Sequence, residues 1–139
     1  MTVDDEFEQR LHALFLVEAR EHIEMMASMA VSSNPAGDDG ADVIESMHRE
    51  AHSLKGAARS VGARAIERVS ATLETLLSGV KRGDTTLSSV RSVIIDTLDT
   101  MAAHLDDPVL DEDDVLATVI ARLETPRHGS AARAMDPDT

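Results

Sequence analysis

The sequence predicts an all-α fold, and three observations predict it. Apolar residues recur at spacings of three and four along four long segments, the period that keeps one face of a helix buried. Phe7 and Phe15 are the only aromatic residues, so the Tyr, Trp and Phe enrichment of a sandwich or barrel is missing. Short runs of Gly, Pro and small polar residues separate the segments, and no strand pattern competes with them. Long helices joined by short turns pack as antiparallel neighbours. The expected architecture is therefore an up-down antiparallel four-helix bundle with an additional C-terminal fifth helix.

The first helix is expected to begin near Asp4, where Asp4, Asp5 and Glu6 complement the positive end of the helix dipole. Phe7, Leu11, Leu14, Phe15, Leu16, Ile23, Met26 and Met29 form its core-facing stripe. The run from Ser32 to Gly40 carries Pro, Gly and short polar residues and should end it. A second helix is expected from about Ala41 to Val61, with Ile44, Met47, Ala51, Leu54, Ala58 and Val61 on one face. Gly62 follows as a breaker or C-terminal cap. The third helix buries Ile66, Val69, Leu73, Leu76, Leu77 and Val80 and ends at the turn from Lys81 to Asp84. The fourth is expected from Thr86 to His104, with Leu87, Val90, Ile94, Leu98, Met101 and Leu105 inward. Pro108 interrupts the pattern, and the acidic run Asp111 to Asp114 opens a shorter fifth helix bearing Val115, Leu116, Val119, Ile120 and Leu123. Residues 1–125 are thus expected to form the bundle, and 126–139, which lack apolar periodicity, a flexible tail or linker.

At 139 residues the chain has the length of one ordinary domain, and 42% hydrophobic residues suffice for a core. Its 13 Lys+Arg against 26 Asp+Glu give a formal charge of −13. Such a surface repels phosphate backbones and anionic headgroups, so neither nucleic acid nor a membrane surface is an expected partner. The apolar run Leu14 to Val17 is far too short for a membrane span or a signal-peptide core. Cysteine is absent, which excludes disulfides and thiol chemistry and suits a reducing, cytoplasmic location. No glycine-rich phosphate loop or Walker-type lysine motif is present. No cofactor, no ATP site and no autonomous catalysis are therefore expected.

One constellation carries chemistry. The second helix contains AHSLKGAARSVGA, from Ala51 to Ala63. His52 lies one position past the core residue Ala51, so its imidazole should sit beside the buried stripe and reach solvent. Lys55 and Gly56 are three and four residues on, one turn away on the same face, with Arg59 a turn further and His48 a turn before. A mid-helix glycine costs about 0.5–1 kcal/mol relative to Ala, so something must favour the missing side chain. Close approach of a partner to the imidazole is one such reason. Lys55 can offset charge on an anionic group arriving at His52. An exposed histidine with Lys at +3 and Gly at +4 suggests phosphoryl acceptance.

These residues resemble a known family. H-S-L-K-G on a helix is the signature of histidine phosphotransfer (HPt) domains. The longer match, AHSLKGAARSVG followed by a helix ending ETLLSGVKRGD, looks like the N-terminal phosphotransfer domain of CheA-type chemotaxis histidine kinases, over roughly Leu11 to Leu123. The resemblance implies that His52 is phosphorylated, that Lys55 is its electrostatic helper and that Gly56 is the clearance position. It also implies that Glu74 is the carboxylate bonded to the histidine ring, which fixes the tautomer and frees Nε2 for attack. The implied partners are the ATP-binding domain of a histidine kinase and a CheY-like response regulator. Docking is expected over the exposed edge of the first two helices, around Arg49, Ser53 and Arg59, with His48 as a flank. The chain departs from the family pattern at Ala57, where a second glycine is common, at Arg59, where a small residue is common, and at Ala71, where some relatives carry a second histidine.

Several of these features also have blander readings. His48 and His52 have the i, i+4 spacing of helical zinc sites, but His48-Arg49-Glu50-Ala51-His52 is not the HExxH arrangement and no third ligand is evident, so no metal is expected. Met25, Met26, Met29 and Met47 read as core filler. His12, His22, His104 and His128 receive no role. The rival class is a non-catalytic acidic helical interaction module, for which His52→Gln would change nothing.

Overall fold

Two glycines decide where the polypeptide reverses direction. The structure, a computed structural model, describes residues 2–32, 40–106 and 119–123. Helix α1 spans Val3–Ser32, α2 Gly40–Val61, α3 Arg64–Arg82 and α4 Leu87–Asp106. Residues 119–123 are also helical, and no strand occurs among the described residues. Gly62 and Gly83 adopt φ values of 72° and 85°, a region that side chains other than glycine's rarely enter. At the first turn the Gly62 N–H donates to the Arg59 carbonyl at 3.3 Å and the Ala63 N–H to Ala58 at 2.9 Å. At the second, Gly83 donates to Val80 at 3.1 Å and Asp84 to Gly79 at 2.9 Å. Both are Schellman closures, which satisfy the last carbonyls of a helix within a very short turn. Helix α4 then starts on a side-chain cap, with Thr86 Oγ1 accepting from the Ser89 N–H at 3.1 Å.

Helix α2 packs against both α1 and α3, α1 packs against α4, and α3 touches α4 more lightly. Arg91, near the start of α4, donates to the Ala30 carbonyl at 2.7 Å, near the end of α1. Arg20, in the middle of α1, pairs with Asp106 at the end of α4. These two helices therefore run in opposite directions. The core is where the periodicity puts it on α2, α3 and α4: Ile44, Met47, Ala51, Leu54 and Ala58, then Ile66, Val69, Leu73 and Leu77, then Leu87, Val90, Ile94, Leu98, Met101 and Leu105. Each fully buried leucine or methionine here contributes roughly 1.5–3 kcal/mol of transfer free energy. That inward face fixes the rotation of α2 about its axis, and hence which of its residues meet solvent.

Helix α1 departs from expectation. Phe15, Ile23 and Met26 are buried, with Ala19 and Ala30, but Phe7 is 59% exposed, Leu14 67% exposed, and Leu11 also faces solvent. The helix carries two adjacent apolar stripes, and only one of them is covered. Leu14 is offset by about 100° from Phe15, so both cannot face the same neighbour. The helix has 30 residues against the 22 of α2, so part of its length has no α2 turn beside it. Among the methionines, Met26 and Met47 are fully buried and Met29 packs against the core, whereas Met25 is exposed and is not core filler. Val119 and Leu123 are buried and Ile120 packs on the core. Val115, Leu116 and the segment 126–139 lie outside the described residues. No helix among the described residues is long and apolar enough to cross a membrane.

Candidate functional site

The solvent side of the α2–α3 seam is a ladder of polar pairs. Glu45 meets Lys81 at 2.8 Å, His48 meets Ser78 at 3.0 Å, His52 meets Glu74 at 2.5 Å, and Arg59 meets Glu67 at 2.7 Å. In every pair the two residues are equidistant from Ala63, the centre of the turn, as an antiparallel pair of helices requires. The rungs fall where the core stripes of Leu54 and Leu73 leave a polar edge on each helix.

His52 is the exposed rung. Its side chain is 67% exposed, while that of Glu74 is 17% exposed. Glu74 Oε2 faces His52 Nδ1, and Glu74 Oε1 accepts from Lys55 Nζ at 2.6 Å. One carboxylate thus holds the ring with one oxygen and the ammonium with the other. Burial pushes the Glu74 carboxyl up. The hydrogen bonds from Lys55 and His52, together with their charges, outweigh that effect and hold it below its ordinary value. An ionised carboxylate only accepts, so the bond requires the proton on Nδ1, and the neutral ring then carries its lone pair on Nε2. The His52 ring makes no other hydrogen bond among the described residues. The arrangement is an exposed nitrogen nucleophile with its tautomer fixed from behind.

A family model for the Hpt domain matches residues 10–125. The chain belongs to that family. Comparison with curated proteins finds no match. Hpt domains carry phosphoryl transfer in two-component signalling, and they interact with histidine kinases and response regulators.

The structure brings the sequence-expected residues of this Hpt domain together unevenly. Gly56 is exposed, and a Cβ built there meets nothing within 4 Å, so packing inside the molecule does not require glycine at that position. Arg49 and Ser53 are exposed. Arg59 is exposed but held by Glu67. Lys55 was expected to face an incoming anion, whereas its ammonium rests on Glu74 with the side chain 19% exposed. His48 was expected on the docking edge; it is half-buried and turned to Ser78. No group of three or more His, Asp or Glu residues placed to hold a metal ion occurs among the described residues.

Sequence reading missed Glu67, Ser78 and the Glu45–Lys81 pair as members of the same seam. The signal was available. Once His52 and Glu74 are paired about a turn at Gly62, the same register predicts the other three rungs. It also missed His22 of α1, whose Nδ1 lies 3.0 Å from Glu50 Oε1 and which ties α1 to α2. No motif marks that contact.

Proposed function

We propose that this chain accepts a phosphoryl group on His52 from the ATP-binding domain of a histidine kinase and passes it to an aspartate of a CheY-like response regulator, in chemotaxis-type signalling. The observation that carries the reading is the 2.5 Å bond between Nδ1 of an exposed His52 and the half-buried Glu74 carboxylate. In the first step the Nε2 lone pair attacks the γ-phosphorus of ATP, an N–P bond forms, and the P–O bond to ADP breaks. The ring becomes cationic with its proton still on Nδ1, where Glu74 stabilises it. In the second step an aspartate oxygen attacks the same phosphorus, the N–P bond breaks, and the electron pair returns to Nε2. Lys55 acts first as the group that keeps Glu74 ionised, and only from there as an offset to phosphoryl charge.

With this function we propose an up-down antiparallel four-helix bundle with a fifth helix over residues 1–125, followed by a linker at 126–139. A cytoplasmic location fits both partners. Nucleotide and metal come from the partners, and the chain is either a relay protein or the substrate domain of a larger CheA-type kinase. The bare backbone at Gly56 gives a partner room beside His52, so Gly56→Glu should block transfer by bulk and charge while the fold persists.

The test is incubation with ATP and the catalytic core of a CheA-type kinase, followed by intact mass. The expected product is one acid-labile, alkali-stable phosphoryl adduct, absent from His52→Gln and drained by a response regulator. A folded protein that takes no phosphoryl group from the kinase core or from phosphoramidate would hand the function to the acidic interaction module instead.

A further inference from the structure

The charge of this protein is strongly polarised. Between Arg49 and Glu74 the chain carries five cations and three carboxylates, a local net of +2 within an overall −13, while Lys81 and Arg82 beyond that stretch pair with Glu45 and Asp84. All three carboxylates are half-buried and held: Glu50 by His22, Glu67 by Arg59, and Glu74 by Lys55 and His52. Arg49, Arg64 and Arg68 behave differently. They are exposed and form no ion pair among the described residues. Helix α1, by contrast, carries seven carboxylates against two arginines. A basic field therefore surrounds His52 on the α2–α3 side of an otherwise acidic molecule.

Arg64 and Arg68 do not belong to the chemistry. Arg64 and Arg68 flank Glu67, which is tied to Arg59, and Arg59 lies seven residues from His52, about 10 Å along the helix. That is beyond contact with a phosphoryl group on Nε2, but comparable with the Debye length of about 10 Å at 0.1 M salt. Arg49 and Arg59 are ten residues apart, about 15 Å along α2, so the field spans a face and not the phosphates of one nucleotide. Charges so placed act on the encounter rate of a macromolecule.

We propose that Arg49, Arg64 and Arg68 form a steering surface that meets an acidic face of the regulator that takes the phosphoryl group. This rests on the reading of His52 as the relay histidine. The surface offsets repulsion between that acidic face and a phosphorylated His52. It also extends the docking footprint onto α3, away from the α1 edge that the sequence suggested.

The experiment uses protein phosphorylated with phosphoramidate, so that no kinase is needed. CheY-type regulators are mixed with the phosphorylated wild type until one drains it. With that regulator, transfer from the wild type, from Arg64→Glu/Arg68→Glu and from Arg64→Gln/Arg68→Gln is followed by rapid quench at several salt concentrations. At low salt the second-order rate constant should fall tenfold or more in the glutamate pair and less in the glutamine pair. The salt dependence should flatten in the same order, with the first-order rate at saturating regulator little changed. An unaltered second-order rate and salt slope, or a loss confined to the saturating rate, would overturn the steering role. So would the failure of every CheY-type regulator to drain a protein that phosphoramidate has labelled. Failure of the labelling itself on a folded protein would overturn the relay reading underneath.

Discussion

His48 and His52 stand one turn apart on α2, and each ring reaches across the seam to a residue of α3. The partner of His48 is the Ser78 hydroxyl, which can donate or accept, so it leaves the tautomer open. The partner of His52 is an ionised carboxylate that only accepts, and so fixes the proton on Nδ1. His48 is half-buried whereas His52 is exposed. The residue one turn beyond His48 is His52 itself; the residue one turn beyond His52 is Gly56, with open space around it. The same side chain, on the same helix, meets two environments. The difference between them is what the proposed chemistry requires: a fixed tautomer and a clear approach.

The largest expected effect separates the two rings outright. His52→Gln should take up no phosphoryl group from phosphoramidate, while His48→Gln should retain uptake close to that of the wild type, both read by intact mass. An adduct that survives in His52→Gln and disappears in His48→Gln would reverse the assignment.

The next effect tests the partner and not the ring. Glu74→Gln keeps the shape but loses the charge and the acceptor-only character. Uptake should slow by about 10–100-fold, the loss that follows when the hydrogen-bond partner of a metal-bound histidine is removed. The reciprocal change, Ser78→Glu in the His52→Gln background, gives His48 a carboxylate. It should not create an acceptor, because His48 remains half-buried. An adduct on that double variant would show that a carboxylate partner alone is enough, and would remove exposure from the argument.

These contrasts also show why the sequence was legible in some places and not in others. The stripes of α2, α3 and α4 have a single apolar face, so period alone fixed their cores, from Ile44 to Ala58 and from Leu87 to Leu105. Helix α1 has two adjacent apolar stripes, and nothing in its own sequence says which one α2 and α4 will cover. Period alone therefore places Phe7, Leu11 and Leu14 inward, whereas they lie outward. At the site, His52 and Gly56 are exposed because α2's core face is unambiguous. The direction of Lys55 was not legible. A lysine three residues from a histidine shares its face, but only the position of Glu74 across the seam decides whether the ammonium points to solvent or to a carboxylate.

A smaller effect compares two carboxylates of the same ladder. Glu74 is held below its ordinary value against the cost of burial, whereas the exposed Glu45 is lowered by its hydrogen bond to Lys81 and by that charge. A carboxylate whose pKa is depressed on folding stabilises the fold above its unfolded pKa, and that contribution is lost as pH falls through the folded value. The wild type should therefore exceed Glu74→Gln in stability near neutral pH, and the two urea midpoints should converge in acid, below the ordinary Glu range. For Glu45→Gln the difference should be slight at every pH and disappear in salt, because both partners of that pair are solvated. A gap for Glu74→Gln that persists unchanged in acid would mean that its packing and not its charge matters.

The smallest effect concerns clearance. Alanine at Gly56 meets no atom within 4 Å and sits within a helix, so Gly56→Ala should stabilise the fold by about 0.5–1 kcal/mol, measured by urea unfolding. The same change at Gly62, where φ is 72°, should destabilise it. A sequence that forgoes the easy gain at one glycine and needs the other uses them differently. If the empty space at Gly56 serves a macromolecular partner, Gly56→Ala should leave uptake from phosphoramidate intact, because a small donor reaches Nε2 past a methyl group. Transfer from a kinase domain, or to a regulator, should slow several-fold in the same variant. Equal rates with small and protein donors would mean that the missing side chain beside His52 is not what distinguishes it from His48, and the contrast between the two rings would then rest on Glu74 and exposure alone.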